Sequence, residues 1–204
     1  ALPNDLYSVG ASFFQVDPGF NPALGFAPRT DVRAYFGSFS LQPRPESPPI
    51  RQLFFTYNNS HYTDLSNQLE SAYHSFSPVN ILFENGDVVY FSINGVLDAP
   101  RDPFEISPGV VIPAGDYWWA SYRMGLISST KRPVELALDW SFGDFYDGRR
   151  DGYSAALDLK PIKYLVFRVG YSLNRVDLPE GDFDTHLGFL RARIGFSPDL
   201  NWYH

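Results

Sequence analysis

Strict alternation of apolar and polar side chains is the feature that most constrains the fold of this chain. In VELALDWSFG, residues 134–143, large apolar side chains alternate with small or acidic ones. A period of two residues places successive side chains on opposite faces of a β-strand. One face of this predicted strand is therefore wholly apolar, and the other carries the carboxylates of Glu135 and Asp139.

The same period recurs along the chain and predicts about ten strands, bounded by clusters of Gly, Pro, Asn or Asp. These strands are residues 6–16, 31–42, 50–58, 68–83, 88–97, 117–127, 134–142, 153–159, 164–174 and 185–196. Several exceed the five or six residues that are usual in globular proteins. Because aromatic residues reach 17% and helix formers are not dominant, we expect a single all-β domain in the 204-residue chain.

The connections between the predicted strands alternate in length. The short ones are QPRPESPP, ENGD, SSTKRP, KPIK and SPDL. The others, called the longer connections below, are longer or richer in acids and aromatics, and they are DPGFNPALGFAPRT, NSHYTDLS, DAPRDPFEISPGVVIPAGD, GDFYDGRRDG and DLPEGDFD. The longer connections carry more acidic than basic residues, which makes one rim acidic. Tight turns on one rim and long loops on the other are typical of an antiparallel up-and-down transmembrane β-barrel, which is the fold we predict.

Extending the alternation over all strands collects the polar side chains, with His74, on one face, which would line the interior of a barrel. Two roles are open for the charged ones: they pair with each other across a narrow lumen, or they line a conducting path and set its ion preference. The ionisable residues predicted to face the lumen are Glu70, Arg123, Glu135, Asp139, Asp158, Lys160, Arg168, Arg191 and Arg193.

A soluble β-sandwich, with its polar face in bulk water, is the alternative to a barrel. Aromatic side chains near the strand ends, among them Trp118, Trp140 and Tyr153, favour the barrel. Such rings concentrate at the headgroup level of a bilayer, where they form girdles.

Composition and motifs exclude several classes of function. The net charge of -7 disfavours nucleic acid, and the lack of cysteine rules out disulfides, thiolate metal sites and a cysteine nucleophile. A run of about 18 apolar residues, as a membrane-spanning helix needs, does not occur, although spanning strands need only about ten alternating residues. Since GxSxG, HExxH, P-loop and GxGxxG motifs are also missing, we expect no enzyme, no catalytic residues and no cofactor.

Two features of the longer connections leave alternatives open. Their carboxylates either form a solvated acidic rim or supply oxygen ligands for Ca²⁺, or for divalent ions that bridge lipopolysaccharide. The longest connection, residues 98–116, either folds over the barrel mouth as a partial plug or packs against neighbouring loops. The candidate calcium ligands are Asp144, Asp147, Asp151, Glu180, Asp182 and Asp184.

An ordered series of motifs covers nearly the whole chain. The motifs are FNPALGF (residues 20–26), FENGD (83–87), PFEISPGVVIPAGDY (103–117), FYDGRR (145–150) and LPEGDFDTHLGFLRARIGFSPDL (178–200). This series resembles the bacterial domain of unknown function 5916 family. The resemblance implies an outer-membrane β-barrel that follows an N-terminal module similar to family-9 carbohydrate-binding domains. It implies no established catalytic or binding residues.

The chain departs from that family at both ends. The carbohydrate-binding-like module is missing, and the sequence stops at NWYH, where the family pattern continues into further strands. We therefore expect residues 1–204 to be part of a larger barrel, truncated at both ends, with an open edge.

The function expected from these observations is a pore or transport conduit in the bacterial outer membrane, linked by the resemblance to saccharide handling. The alternatives are a non-conducting barrel that anchors a membrane or cell-surface complex, a soluble β-sandwich binding module, and a surface hydrolase. The expected partners are outer-membrane lipid, lipopolysaccharide and other subunits of a membrane complex, without nucleic acid.

Overall fold

The computed structural model describes residues 6–22, 30–162, 164–197 and 200–203. Strands joined by turns and loops make up this part of the chain, and it contains no helix. The prediction of an all-β chain is therefore confirmed. The strands are β1 (Tyr7–Val16), β2 (Val32–Leu41), β3 (Ile50–Leu53), β4 (Phe55–Thr63), β5 (Leu69–Phe83), β6 (Val88–Asp98), β7 (Phe104–Ser107), β8 (Val110–Ile112), β9 (Tyr117–Ile127), β10 (Val134–Phe145), β11 (Gly148–Ile162), β12 (Leu165–Leu178), β13 (Gly181–Ser197) and β14 (Leu200–Tyr203).

Twelve strands form one sheet, in which every neighbouring pair is antiparallel. The order across the sheet is β1-β2-β4-β5-β6-β9-β10-β11-β12-β13-β14, and β3 pairs with β5 beside this path. The antiparallel up-and-down arrangement is confirmed. The sheet is not closed, because β1 and β14 are both edges within the described part of the chain, and a transmembrane barrel is therefore not confirmed.

The single strand predicted at residues 50–58 is wrong, since this stretch contributes to two strands. β3 ends at Leu53 and β4 begins at Phe55, while the backbone N–H of Phe54 donates to the carbonyl of Asn80. The break lies opposite a register irregularity in β5 that contains Pro78. Proline has no N–H to donate, so the ladder is interrupted there.

Three connections predicted as long loops are instead continuations of the strands. β10 and β11 leave only residues 146–147 as a turn, β12 and β13 leave only residues 179–180, and β4 runs on to Thr63. Polar or charged side chains occupy the outward positions of these extensions, so apolar periodicity alone predicts strands that end too early. The predicted loop at residues 17–30 and the turn SPDL lie partly outside the described residues.

The longest predicted loop contains a small hairpin of its own, β7–β8, which turns at Gly109 with φ of 83°. The hairpin packs its side chains on the main sheet without joining its ladder. It completes a hydrophobic core that joins β9 to β12, formed by Val110, Ile112, Tyr117, Trp119, Val176 and Leu178.

The two faces of the main sheet differ in chemistry and in exposure. We call them the apolar face and the polar face. On the apolar face large side chains are exposed, such as Val9 (75%), Trp118 (62%) and Leu190 (76%). On the polar face even small polar side chains are sheltered, with Ser92 and Asn94 each 8% exposed. Among the described residues there is no helix that is long and apolar enough to cross a bilayer.

Candidate functional site

A continuous row of small residues that ends at an arginine crosses the polar face, and it arises directly from the strand register. Its members are cross-strand neighbours from β1 to β11. Small residues at successive strands leave space above the sheet, whereas larger ones would fill it. The row, called the polar row below, consists of Gly10, Ser38, Asn58, Ser75, Asn94, Ser121, Gly143 and Arg150.

Three adjoining cavities lie over this face, and together we call them the polar groove. Their volumes are about 450, 280 and 380 Å³, and neighbouring cavities share lining residues such as Tyr73. These volumes are in the range of small-molecule sites or just below it. The lining of the first cavity combines hydroxyl and amide side chains, such as those of Ser12 and Asn58, with apolar atoms. The third, called the arginine cavity below, is lined by Tyr73, Asn94, Val96, Trp119, Ser121, Tyr122, Arg123, Ser141, Phe145 and Arg150.

An aromatic cluster bounds the polar groove at the rim that carries the β7–β8 hairpin. The ring of Trp119 lies 4.8 Å from that of Tyr146 and 5.7 Å from that of Phe145, centroid to centroid. The hydroxyl of Tyr146 donates to Asp98 at 2.7 Å, which ties the β10–β11 turn to the end of β6. Burial and the Asp98 carboxylate raise the pKa of Tyr146, so its hydroxyl stays protonated and keeps donating.

Most of the predicted polar-face residues lie together on the polar face, and several form ion pairs between adjacent strands. Nε of Arg123 donates to Asp139 at 2.6 Å, and the hydroxyl of Tyr90 donates to the same carboxylate oxygen at 2.5 Å. Arg123 also lies 5.8 Å from the centre of the Tyr90 ring. Charge-assisted hydrogen bonds of this kind fix the side chains of Arg123 and Asp139 against the sheet.

Two further ion pairs lie nearer the opposite rim. Lys160 donates to Glu135 at 2.9 Å, and Arg168 donates to Asp158 at 2.5 Å. Asp158 is only 8% exposed, so its charge is compensated where water is scarce. Beyond them, Arg191 lies directly across from Arg168, and Arg193 lies on the same face of β13.

Of two further residues assigned to this face, one lies at the rim of the sheet and the other lies on the apolar face. Glu70 lies at the rim. There the guanidinium of Arg101 forms ion pairs with Glu70 at 2.9 Å and with Asp64 at 2.7 Å. His74 lies on the apolar face, where its Nδ1 is 2.7 Å from the hydroxyl of Tyr57. The assignment of His74 to the polar face is wrong, because irregularities in the register of β5 shift its alternation by one residue.

The six candidate calcium ligands do not converge on one point. Asp151 pairs with Arg149 at 3.1 Å, and Asp184 lies 3.8 Å from Arg175. Within the described residues there is no group of three or more His, Asp or Glu side chains placed to hold a metal. Of the others, Asp144 and Asp182 lie in the extensions of β10 and β13, and Asp147 and Glu180 lie in the two adjoining turns.

Some residues of the polar groove are absent from the sequence predictions, notably Tyr73 and Arg150. Arg150 fell within a predicted loop. Continuing the two-residue period back from Ser154 through Gly152 would have placed it on the polar face.

Comparison with known proteins adds no relative: no family model, no curated protein and no solved structure matches the chain. The resemblance to the domain of unknown function 5916 family therefore stays a prediction.

Proposed function

We propose that this chain is part of an outer-membrane β-barrel, that its apolar face meets lipid, and that its polar face lines a conduit for polar solutes. The observation that carries the proposal is the contrast between the two faces of one sheet. A face of exposed large apolar side chains needs a non-aqueous environment or a partner surface. The sheltered polar face suits the aqueous interior of a barrel.

The apolar band has the length that a bilayer requires. From Val134 to Phe142 in β10, and from Leu165 to Leu173 in β12, every second side chain is apolar or aromatic. Each stretch has nine residues, and a spanning strand needs about 9–11. Beyond the band, the same face changes to charged residues such as Asp151 and Arg175, as expected where a strand leaves the hydrocarbon.

The polar groove supports the conduit. Hydroxyl, amide and guanidinium groups form a continuous row across the strands of the polar face, so in a barrel they would line the lumen around its wall. Such groups replace the hydration shell of a polar solute. Its hydroxyl-rich and aromatic lining also suits saccharides, the solutes that the sequence resemblance implies.

A non-conducting anchor is the second candidate, and the β7–β8 hairpin favours it. The hairpin packs Ile112, 1% exposed, into the core beside the polar groove. A rigid cap at that position would obstruct passage and leave the barrel as an attachment for a membrane complex.

Matched arginine substitutions on the two faces test the membrane assignment. Leu138 lies in the middle of the apolar band, and Leu187 lies on the polar face in the cross-strand row that contains Asp139. An arginine at the bilayer midplane costs about 2–4 kcal/mol on the lipid face. We expect Leu138→Arg to impair folding into lipid vesicles, measured by heat-modifiable gel mobility, and Leu187→Arg to fold normally. Equal folding of both variants would contradict lipid contact.

Single-channel recording in planar bilayers separates the two functions. Stable, ion-selective steps support a conduit. Silence from a folded, heat-modifiable protein contradicts the conduit and supports the anchor.

A further inference from the structure

The arginine cavity contains a cation with no described counterion. Among the residues that the structure describes, no carboxylate lies within ion-pair distance of Arg150. Instead its guanidinium lies 5.1 Å from the centre of the Phe145 ring, and the side chain is half-buried. A guanidinium held over an aromatic ring is kept in place, while its N–H groups, which lie in the guanidinium plane, stay free to donate.

A second guanidinium lines the same cavity. Arg123 lies on β9 and Arg150 on β11, and β10 between them presents only Ser141 and Gly143 at this level. The φ of Gly143 is 132°, and an added Cβ would lie 2.7 Å from the carbonyl oxygen of Ala120. The backbone conformation at position 143 favours glycine, so no side chain fills the space between the two arginines there.

The arginine cavity carries a positive excess, because only one of its two arginines has a described carboxylate partner. Arg123, Lys160 and Arg168 are each paired with a carboxylate. Arg150 is not paired within the described part of the chain, although the protein as a whole carries a net charge of -7. A local positive site on an acidic protein attracts anions selectively.

We propose that the arginine cavity binds the oxyanion group, carboxylate or phosphate, of a small hydroxylated solute. Arg150 and Arg123 donate to the oxyanion, because a guanidinium matches the planar geometry of a carboxylate or phosphate edge. Asn94, Ser121 and Ser141 supply hydrogen bonds to hydroxyl groups, and Trp119 with Phe145 forms an apolar wall. The physiological role of this site, as a selectivity site of the conduit, rests on the proposed function, but binding itself does not.

Calorimetric titration of the purified full chain in detergent micelles tests the site. The probes are D-glucuronate for a carboxylate, glucose 6-phosphate for a phosphate, and neutral D-glucose as the control ligand. We expect at least one of the two anions to bind, and D-glucose to bind at least about tenfold more weakly, as the loss of a charged hydrogen bond predicts. Binding of the carboxylate alone or of the phosphate alone identifies the preferred oxyanion.

Two variants assign the binding to this site. Arg150→Gln is expected to weaken anion binding at least about tenfold. Arg149→Gln is the matched control, because Arg149 is the adjacent residue on the opposite face, pairs with Asp151 and has a 64% exposed side chain. Should Arg150→Gln fail to fold by circular dichroism, Arg150→Lys keeps the charge, loses the fork-shaped donor and is expected to weaken binding severalfold.

The inference is overturned if neither anion binds, if D-glucose binds as tightly as the anions, or if the variants at positions 149 and 150 lose affinity equally. Failure of binding in a conducting protein refutes the site and leaves the conduit intact. Binding by a protein that is silent in bilayers refutes the conduit and leaves the site intact.

Discussion

Replacement of Ile112 by alanine tests how the β7–β8 hairpin is held over the polar face. The two strands of the hairpin pair only with each other, so no backbone ladder fixes them to the main sheet. Attachment then depends on the packed side chains of the core, in which Ile112 is the most deeply buried large residue of the hairpin, at 1% exposed.

The magnitude follows from the size of the truncation. Ile112→Ala removes three buried carbon groups, and at about 0.8 kcal/mol for each the lost transfer free energy is about 2.4 kcal/mol. A residual cavity places the full cost of such changes at about 2–5 kcal/mol. Because about 1.4 kcal/mol corresponds to a factor of ten, opening of the hairpin should become roughly fiftyfold more frequent.

Hydrogen exchange measured by mass spectrometry resolves this local opening. Amides of residues 104–112 should exchange faster by about the same factor, while those in the centre of β11 and β12 keep their rates. Val111→Ala is the control, since Val111 is the neighbouring residue and is 45% exposed. If the hairpin exchanges equally in both variants while the sheet stays folded, the buried core is not what holds it.

Two further predictions concern a rim carboxylate and a backbone position. Hydrogen bonds from Ser66 and from the backbone N–H of Gln68, with Arg101, lower the pKa of Asp64 from 3.8 to about 2. The stability that this carboxylate contributes is present above pH 4 and is lost as the pH falls through 2. In the Asp64→Asn variant the melting temperature should therefore fall less steeply with decreasing pH than in the wild type. An equally steep fall in both proteins would contradict this. Gly143→Ala forces an alanine to φ of 132° against backbone atoms and should cost about 1–3 kcal/mol in denaturant unfolding. Gly188→Ala, with nothing within 4 Å of an added Cβ, should cost much less, and equal costs would refute the reasoning.

The strands were predictable wherever side-chain alternation is simple. The stretch 117–127 was predicted with the bounds that β9 has, because aromatic and aliphatic residues mark one face throughout and a Gly-Asp pair precedes it. Extensions of β10 to β13 were missed for a chemical reason. Their outward positions carry Asp and Arg, which satisfy the period of two but not a search for apolar residues.

The site was less predictable because it depends on register between distant strands. Asn94 and Arg150 belong to one row only because each intervening pair of strands aligns them. A single irregularity, as in β5, moves a residue to the other face, and His74 was misplaced in this way. Nor does local sequence indicate that the β7–β8 hairpin folds back over strands far from it in the sheet.

The two edges of the described sheet set a condition on the barrel that we propose. Antiparallel pairing reverses the chain direction at every step, and ten steps along the path separate β1 from β14. The two edges therefore run the same way, and joining them directly would create a parallel pair in an otherwise antiparallel sheet. A second copy in the same orientation meets the same obstacle. Closure by antiparallel pairs alone requires an odd number of added strands. Together with the eleven strands of the path, these give an even total, which is typical of bacterial barrels.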